Sequence, residues 1–146
     1  MNIEKLAPLE AYPSRVDLQI RFSDVDVLGH VNNTVYLAYY DTGKAWFFST
    51  VMGRRMDWKK VDTVIANVDC AFRSPIYFGE PIEVLTRCCE LGEKSFRLQQ
   101  MIRNKATGEL KSACETVMVS FDRNTATSME LSAEWREALE RSMKWE

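Results

Sequence analysis

The chain has 146 residues, of which 46% are hydrophobic and 27% charged, and its formal net charge is −2. This length is typical of one domain with a real core, and the composition excludes a disordered chain. The densest basic clusters are the short pairs Arg54-Arg55 and Lys59-Lys60, whereas proteins that neutralise many phosphates usually carry a basic stripe. We therefore expect a single domain over residues 1–146 and no nucleic-acid partner.

The sequence also carries no pattern of export or membrane insertion. The first twelve residues contain Glu4 and Glu10 and lack the apolar run of a signal peptide. No stretch approaches the roughly 18 apolar residues that span a bilayer. The four cysteines include no C-x-x-C pair, and the adjacent Cys88 and Cys89 would point to opposite faces of a strand. These features predict a cytoplasmic protein with reduced thiols and no membrane association.

The first periodic segment is "RVDLQIRF" at positions 15–22, where hydrophobic and polar residues alternate strictly. This period of two predicts a half-buried strand. Its buried face would carry Val16, Leu18, Ile20 and Phe22.

A long apolar helix is predicted to follow, in "TVYLAYYDTGKAWFFSTVMG" at positions 34–53. Between positions 35 and 48 only Asp41, Thr42 and Lys44 are clearly polar, so we expect this helix to be buried on nearly all sides. We interpret the aromatic run at positions 39–48 mainly as core.

The ends of this helix have suitable capping residues. Asn32 or Asn33 is a good N-cap, and Gly53 is a good C-terminal stop. Gly43 lies in the helix interior, where glycine costs about 1 kcal/mol, so we expect a close backbone approach by something else there.

The second half of the chain is rich in β-structure. Positions 64–72 alternate as a second strand, and "PIEVLTRCCEL", "SFRLQQMIR" and "ELKSACETVMVSF" are joined by short turn sequences that predict an antiparallel meander. A final amphipathic helix has Ser132 as its cap and an apolar face of Leu131, Trp135, Ala138 and Leu139. The fold class is therefore α+β, with a curved sheet wrapped around the long helix. One subunit cannot cover that helix completely, so we expect a second subunit to help.

The segment "DVDVLGHVNN" at positions 24–33 concentrates polar residues in front of the helix. It begins like a calcium loop, but Leu28 and Val35 occupy two positions where ligands are required. A zinc site is not favoured either, because His30 is the only histidine and no cysteines are suitably spaced. Two interpretations remain open: a polar turn that caps the helix, and a catalytic cluster.

The catalytic interpretation depends on the helix N-terminus. Unpaired N–H groups and the positive end of the helix dipole can stabilise negative charge on an acyl oxygen. A nearby carboxylate can attack the acyl carbon or take a proton from water, and His30 can assist or bind substrate. This arrangement suits hydrolysis of an activated acyl group.

The stretch "RFSDVDVLGHVNNTVYLAYYDTGKAWFF" resembles the first motif of the 4-hydroxybenzoyl-CoA thioesterase-like, hotdog-fold acyl-CoA thioesterases. It is also similar to the acyl-carrier-protein thioesterases. The segment "FRSPIYFGEPIEVLTRCCELGEKSFRLQQMIRNKATGELKSACETVMVSFD" resembles the sheet region of the same family. The resemblance covers roughly residues 14–140. It implies a hotdog fold, homodimers or homotetramers with active sites between subunits, and no metal or other cofactor, because coenzyme A is part of the substrate.

The resemblance also implies roles for individual residues. Asp26 matches the catalytic carboxylate, and His30 matches a histidine used by the plant acyl-carrier branch. That branch has an asparagine where this chain has Leu28, so Asp26 is expected to be the principal catalyst and Asp24 a structural residue. Backbone N–H groups at the helix start match the site that polarises the thioester carbonyl, which implicates Val31, Asn32 and Asn33.

Further positions match substrate-binding residues of the family. Tyr36 matches a wall of the acyl pocket, and Lys94 and Ser95 match a pair that contacts the phosphates of coenzyme A. Arg73 is a weaker candidate for the same purpose. An exposed hairpin would equally account for the Lys94-Ser95 pair.

The expected activity is therefore hydrolysis of an acyl-CoA, or of an acyl-carrier thioester, to a free acid and a thiol. Two alternatives stay open at this stage. One is a hotdog hydratase or dehydratase acting on the acyl chain, and the other is a non-catalytic module that binds acyl thioesters.

Overall fold

The structure, a computed structural model that describes residues 1–145, contains two α-helices and six β-strands. The helices are α1 (Asn33–Met52) and α2 (Ala133–Ser142), and the strands are β1 (Ser14–Leu18), β2 (Thr63–Phe72), β3 (Ile82–Leu91), β4 (Ser95–Asn104), β5 (Leu110–Asp122) and β6 (Thr127–Ser128). All strand pairs are antiparallel, in the order β1-β3-β4-β5-β2, and the short β6 pairs with β5. The predicted meander is thus confirmed as β3, β4 and β5.

The sheet curls around α1, which buries Tyr40 and Phe47 completely against it. The N-terminal segment covers the other face of the central strands, where Tyr12 packs with Leu85 and Met101. α2 packs at the C-terminal end of α1. The predicted α+β architecture, with a long helix wrapped by a curved antiparallel sheet and a C-terminal helix, is confirmed. Among the helices within residues 1–145, none combines the length and hydropathy needed to cross a membrane.

The predicted ends of α1 are also confirmed. Asn32 is the N-cap, and its side-chain oxygen accepts a hydrogen bond from the Thr34 N–H at 2.9 Å. Gly53 ends the helix in the left-handed region with a φ of 65°, where a side chain would add strain. Ser132 caps α2 by accepting a hydrogen bond from the Trp135 N–H at 3.3 Å.

Gly43 marks the closest approach of α1 to the sheet. A Cβ atom at this position would lie 2.9 Å from the Gln100 Nε2 and 2.9 Å from both methyl groups of Val84. These distances are shorter than normal van der Waals contact, so no larger residue fits without movement. The close approach predicted from the sequence is therefore real, and its partner is the concave face of β3 and β4.

The first strand is shorter than predicted. β1 ends at Leu18, and the chain then leaves the sheet and forms a 3₁₀ turn at Phe22–Asp24. Phe22, which we expected on the buried face, is 84% exposed. The alternation of buried and exposed side chains ends here because the Arg21 N–H donates to the Asp24 carboxylate instead of to a neighbouring strand.

The prediction that α1 is buried on nearly all sides is wrong for this chain alone. Trp46 and Leu37 are 56% and 45% exposed, whereas the charged Lys44 is only 6% exposed. β2 shows a similar discrepancy, since Val64 and Phe72 are 43% and 49% exposed although the alternation predicted an inward face. β2 is the edge of the sheet, so its apolar side chains have neighbours on one side only.

Gly43→Ala should destabilise the protein by up to about 2 kcal/mol. Alanine improves helix propensity by about 1 kcal/mol, but forcing a methyl group into this packed contact typically costs 1–3 kcal/mol or more. Urea unfolding of the wild type and the variant measures the difference. Val84→Ala removes the opposing methyl groups, so the double variant should be more stable than the sum of the two single changes predicts. Strict additivity would show that Val84 does not limit the space at this position.

Candidate active site

The segment in front of α1 folds into a short β-hairpin. Val25 and Val31 pair across it, and the Asp26 N–H donates to the His30 carbonyl at 2.9 Å. The Gly29 N–H donates to the Asp26 carbonyl at 3.0 Å, and Gly29 adopts a φ of 83°. This is the geometry of a three-residue hairpin loop with a left-handed glycine bulge. The hairpin places Asp26 directly opposite His30.

Asp24 holds this hairpin against α1. Its side chain is buried, and it accepts hydrogen bonds from the Tyr39 hydroxyl at 2.7 Å and the Arg21 N–H at 2.9 Å. Its backbone carbonyl accepts the Asn32 N–H at 2.9 Å. Burial opposes the ionisation of Asp24, but the hydrogen bonds from Arg21 and Tyr39 outweigh it and hold the pKa of this carboxyl below its usual range. The structure thus gives Asp24 a structural role, as expected.

The Asp26 side chain is half-exposed at the surface of the hairpin. One carboxylate oxygen, Oδ1, accepts the Leu28 N–H at 2.9 Å, which fixes the side chain in the turn. The other oxygen, Oδ2, has no hydrogen-bond partner among residues 1–145, and the residue as a whole is half-exposed. The hydrogen bond to one oxygen therefore positions the Asp26 carboxylate and leaves the other oxygen without a partner among the described residues.

A cleft of about 320 Å³ opens beside the start of α1. The helix entrance and the segment after β2 form its walls, with the lining residues His30, Val31, Asn33, Tyr36, Phe72, Arg73, Ser74 and Pro75. The structure therefore brings together five of the residues predicted for the site. Asp26 is not in the wall itself, but its ladder partner His30 is.

Aromatic contacts shape this cleft. The Tyr36 ring packs edge-on against Phe72 with a centroid distance of 4.9 Å. The His30 ring packs edge-on against Tyr77 at 5.1 Å, and the two residues also pair through their backbones. Burial raises the pKa of the Tyr36 hydroxyl, so this group stays protonated near neutral pH and can donate a hydrogen bond.

The backbone N–H groups at the helix entrance are not equivalent. The Val31 N–H donates to the Ile76 carbonyl at 2.8 Å, and the Asn32 N–H donates to Asp24. The Asn33 N–H has no acceptor within residues 1–145. Of the three residues predicted to polarise a carbonyl, Asn33 is therefore the one whose backbone N–H keeps no partner within the described residues, and it lines the cleft.

The predicted substrate-binding residues fall into two groups. Tyr36 and Arg73 lie in the cleft wall, and the Arg73 guanidinium is half-exposed and 3.6 Å from the Glu4 carboxylate. Lys94 and Ser95 lie instead at the hairpin between β3 and β4, outside the residues that line the cleft. Within one chain, the Lys94-Ser95 pair does not meet the cleft.

The sequence analysis did not identify Ser74 in the cleft wall or Tyr77, which packs against the cleft residue His30. The signal was present in the turn "YFGE" at positions 77–80. Glu80 closes this turn by accepting the Tyr77 N–H at 2.7 Å, and it also contacts the buried Lys111 at 2.8 Å. The turn therefore carries Tyr77 to His30 from a part of the chain more than 40 residues away.

The model of the thioesterase-like superfamily matches residues 20–139, a range that contains the hairpin, the cleft and the whole sheet apart from β1. The chain belongs to this superfamily. The fold class and the expectation of a thioester hydrolase are confirmed at the level of the family.

Individual relatives agree with this assignment. The chain is 24% identical over 132 residues to the long-chain acyl-CoA thioesterase FadM of Escherichia coli, covering 89% of this chain and 99% of FadM. A thioesterase of Thermus thermophilus, solved in complex with coenzyme A and Zn, is 28% identical with a TM-score of 0.81, covering 92% and 96% of the two chains. The 1,4-dihydroxy-2-naphthoyl-CoA thioesterase of Synechocystis shares the fold, with 15% identity, a TM-score of 0.77 and coverage of 86% and 94%.

Tyr39→Phe should destabilise the protein by about 1.5–3 kcal/mol at pH 7, because it removes a hydrogen bond to a buried charged group. The pKa of Asp24 is lowered in the folded state, so its stabilising effect is present above the unfolded pKa of about 3.9 and is lost as the pH falls through the folded pKa. The difference between wild type and variant should therefore shrink in acid. Urea unfolding from pH 7 down to the acid limit of folding measures it.

The matched control is Tyr40→Phe, which removes a hydrogen bond to the uncharged Ser112. It should lower stability by about 1 kcal/mol at all of these pH values. If Tyr39→Phe showed the same pH-independent loss, the bond to Asp24 would not stabilise the ionised carboxylate.

Proposed function

We propose that this protein is an acyl-CoA thioesterase that hydrolyses an acyl thioester to a free acid and coenzyme A. The observation that supports this proposal best is the Asn33 N–H at the start of α1, which has no acceptor within residues 1–145 and belongs to a residue that lines the cleft. The fold and family are those of thioesterases, and the site provides a donor for an oxyanion and a carboxylate with one free oxygen.

The Asn33 N–H would donate to the thioester carbonyl oxygen. Attack at the carbonyl carbon moves negative charge onto this oxygen, where a positioned donor stabilises it more than it stabilises the ground state. α1 is 20 residues long, and the positive end of its dipole lies at the same place. The Asn32 cap and the hydrogen bond from the Asn32 N–H to the Asp24 carbonyl fix the helix entrance when the chain folds, so the donor is oriented before substrate binds.

Asp26 would supply the second catalytic group. Its free oxygen either takes a proton from the attacking water, or attacks the carbonyl carbon itself to form an anhydride that water then hydrolyses. In both routes the carbon–sulfur bond breaks and the thiolate of coenzyme A leaves. The hydrogen bond between Oδ1 and the Leu28 N–H keeps the carboxylate oriented throughout.

Other residues in the cleft would bind and orient the substrate. Tyr36, whose hydroxyl stays protonated near neutral pH, and the His30 ring, which packs against Tyr77, both line the cleft and would contact the acyl thioester. Arg73 has a half-exposed guanidinium at the rim, suitable for a phosphate of coenzyme A. The cleft volume is at the lower end of ligand sites, which span roughly 300–1,000 Å³.

Two relatives support the same substrate class. FadM acts on long-chain acyl-CoA, and the Thermus thermophilus neighbour binds coenzyme A. We propose coenzyme A as the thiol carrier on this basis. The preferred acyl group can be measured with a panel of thioesters from acetyl to palmitoyl, together with benzoyl and phenylacetyl thioesters, by the rate of free thiol release.

We propose further that the active enzyme is a homodimer formed by antiparallel pairing of the two β2 edges. β2 is an edge strand whose side chains Val64, Val68 and Phe72 are exposed, which is unusual unless another chain covers them. In such a pair, the start of the partner's β2 lies beside the end of β2, where the cleft opens.

This pairing would also explain the position of Lys94 and Ser95. Thr63, at the start of β2, pairs with Ser120 on β5, and the Ser120 N–H donates to the Lys94 carbonyl. The Lys94 hairpin of a second copy would therefore lie about two strand spacings, roughly 10 Å, behind that copy's β2 edge. The Lys94 hairpin of the second copy would then lie near the cleft of the first copy, close enough for a coenzyme A bound in that cleft to contact it.

Asp26→Asn should reduce turnover of acyl-CoA substrates by at least about 100-fold, the usual scale for loss of a general base. Asparagine keeps an oxygen for the Leu28 N–H, so the hairpin and the thermal unfolding midpoint should be retained. Asp17→Asn is the matched control, because Asp17 is an exposed carboxylate whose ion-pair partner within residues 1–145 is Lys105. Near-wild-type thiol release by Asp26→Asn would remove Asp26 from the mechanism.

Val68→Pro should produce a folded monomer with little activity. In the β2–β5 ladder the Arg73 N–H bonds to β5, so the alternating positions 68, 70 and 72 point their N–H groups to the free edge. Proline at position 68 therefore removes a donor only from the outer edge. Sedimentation velocity and thiol release measure assembly and activity.

Ala71→Pro is the contrasting variant, since the N–H of Ala71 points towards β5, and it should lower the stability of the chain itself. If Val68→Pro kept the assembly state and the activity of the wild type, β2 would not be the interface.

A further inference from the structure

Two cysteines lie directly opposite each other on neighbouring strands of the sheet. Cys70 on β2 and Cys114 on β5 are register partners, and both belong to the core that packs under α1. Cys114 is completely buried, and Cys70 is half-buried at the margin of the same core. The Cys70 sulfur is also 3.6 Å from the Ser112 hydroxyl, which accepts a hydrogen bond from Tyr40 at 2.7 Å.

The strand ladder places these two cysteines in a position that suits a disulfide. The Arg73 N–H donates to the Lys111 carbonyl at 2.9 Å, so positions 73 and 111 form a hydrogen-bonded pair. Hydrogen-bonded and non-hydrogen-bonded pairs alternate, and Cys70 and Cys114 are three steps further along. They therefore form a non-hydrogen-bonded pair, in which Cα atoms are about 4.5 Å apart and side chains are closest. This separation lies within the range of about 4.4–6.8 Å found for disulfides.

We propose that Cys70 and Cys114 are a reversible dithiol–disulfide site that is oxidised by hydroperoxides. In the first step the Cys70 sulfur attacks one peroxide oxygen, the O–O bond breaks, and a sulfenic acid and one water (or an alcohol) are formed. In the second step the Cys114 sulfur attacks the Cys70 sulfur, and the sulfenic oxygen leaves as water. Two thiols are thereby oxidised to a disulfide while one hydroperoxide is reduced.

The surroundings of the two thiols assign their order of reaction. The hydrogen bond from Cys114, only partly opposed by burial, lowers the pKa of Cys70, and Ser112 and the nearby Lys44 add to this effect. The pKa of Cys114 is raised by the same pairing and by burial. Thiolates react with peroxides faster than thiols do, so the half-buried Cys70 reacts first and Cys114 resolves the intermediate.

The other two cysteines serve as internal controls. Cys88 is opposite Leu98 on β4, and Cys89 occupies a bulge of the same strand pair, so neither has a cysteine opposite it. Burial raises the pKa of Cys88 to about 12 and raises that of Cys89 as well. The proposal therefore predicts oxidation at one cysteine pair out of the four thiols.

The test is treatment of the wild-type protein with hydrogen peroxide, alkylation of the remaining thiols, and tryptic mass spectrometry without reduction. Cleavage after lysine and arginine places Cys70 in peptide 61–73, Cys114 in peptide 112–123, and Cys88 with Cys89 in peptide 88–94. The expected product is peptide 61–73 linked to peptide 112–123. Its mass is lower by two hydrogen atoms than the summed mass of the two reduced peptides. Dithiothreitol should restore the two separate peptides.

Two variants distinguish the proposed chemistry from random oxidation. In Cys114→Ala the sulfenic acid on Cys70 cannot be resolved, so dimedone should label peptide 61–73 in this variant and not in the wild type. Cys89→Ser, which alters a half-buried thiol on β3, should leave the linked peptide unchanged. Three results would each overturn the proposal: Cys70 left unmodified, Cys70 oxidised to sulfinic acid without a link to Cys114, or disulfides that join two copies of the chain on a non-reducing gel. None of these readouts depends on the hydrolytic activity.

Discussion

One buried carboxylate, that of Asp24, connects the parts of the chain that build the entrance to the candidate site. It binds the Arg21 N–H, where the chain leaves the sheet, and the Tyr39 hydroxyl on α1, while its own carbonyl holds the Asn32 N–H. A buried charge is expensive unless hydrogen bonds compensate it, and these bonds exist only when hairpin and helix are correctly docked. The ionised Asp24 therefore favours the one arrangement in which its neighbours face the cleft.

Much of the fold was predictable because its signals are local. The Asn32 cap, the Gly53 stop and the short turns of the meander are each decided by a few adjacent residues. The extent of burial was not predictable, because an apolar pattern shows which side chains prefer to be covered without showing what covers them. Trp46 on α1 and Val64 on β2 are exposed in the single chain for this reason.

The position of the candidate site in the chain was predictable for the same reason, although its chemistry stays a prediction. The composition of the hairpin and the resemblance of its motif pointed to Asp26, His30 and the helix entrance. Which backbone donor is free could not be seen, because the Val31 N–H is occupied by the carbonyl of Ile76, a residue 45 positions away in the sequence. Such pairings depend on tertiary docking of the segment after β2, and no local pattern contains that information.

The hairpin at positions 25–31 also constrains how this site can evolve. Strand side chains alternate with a period of two, so one inserted or deleted residue in the three-residue loop would turn the Asp26 side chain to the opposite face. The loop length therefore decides which face the Asp26 carboxylate occupies. The side chains of Val27 and Leu28 at the tip are 102% and 72% exposed, and the tip holds Asp26 through the Leu28 backbone N–H. Substitutions at these two positions that keep the spacing therefore change the exposed tip of the hairpin without moving the Asp26 carboxylate.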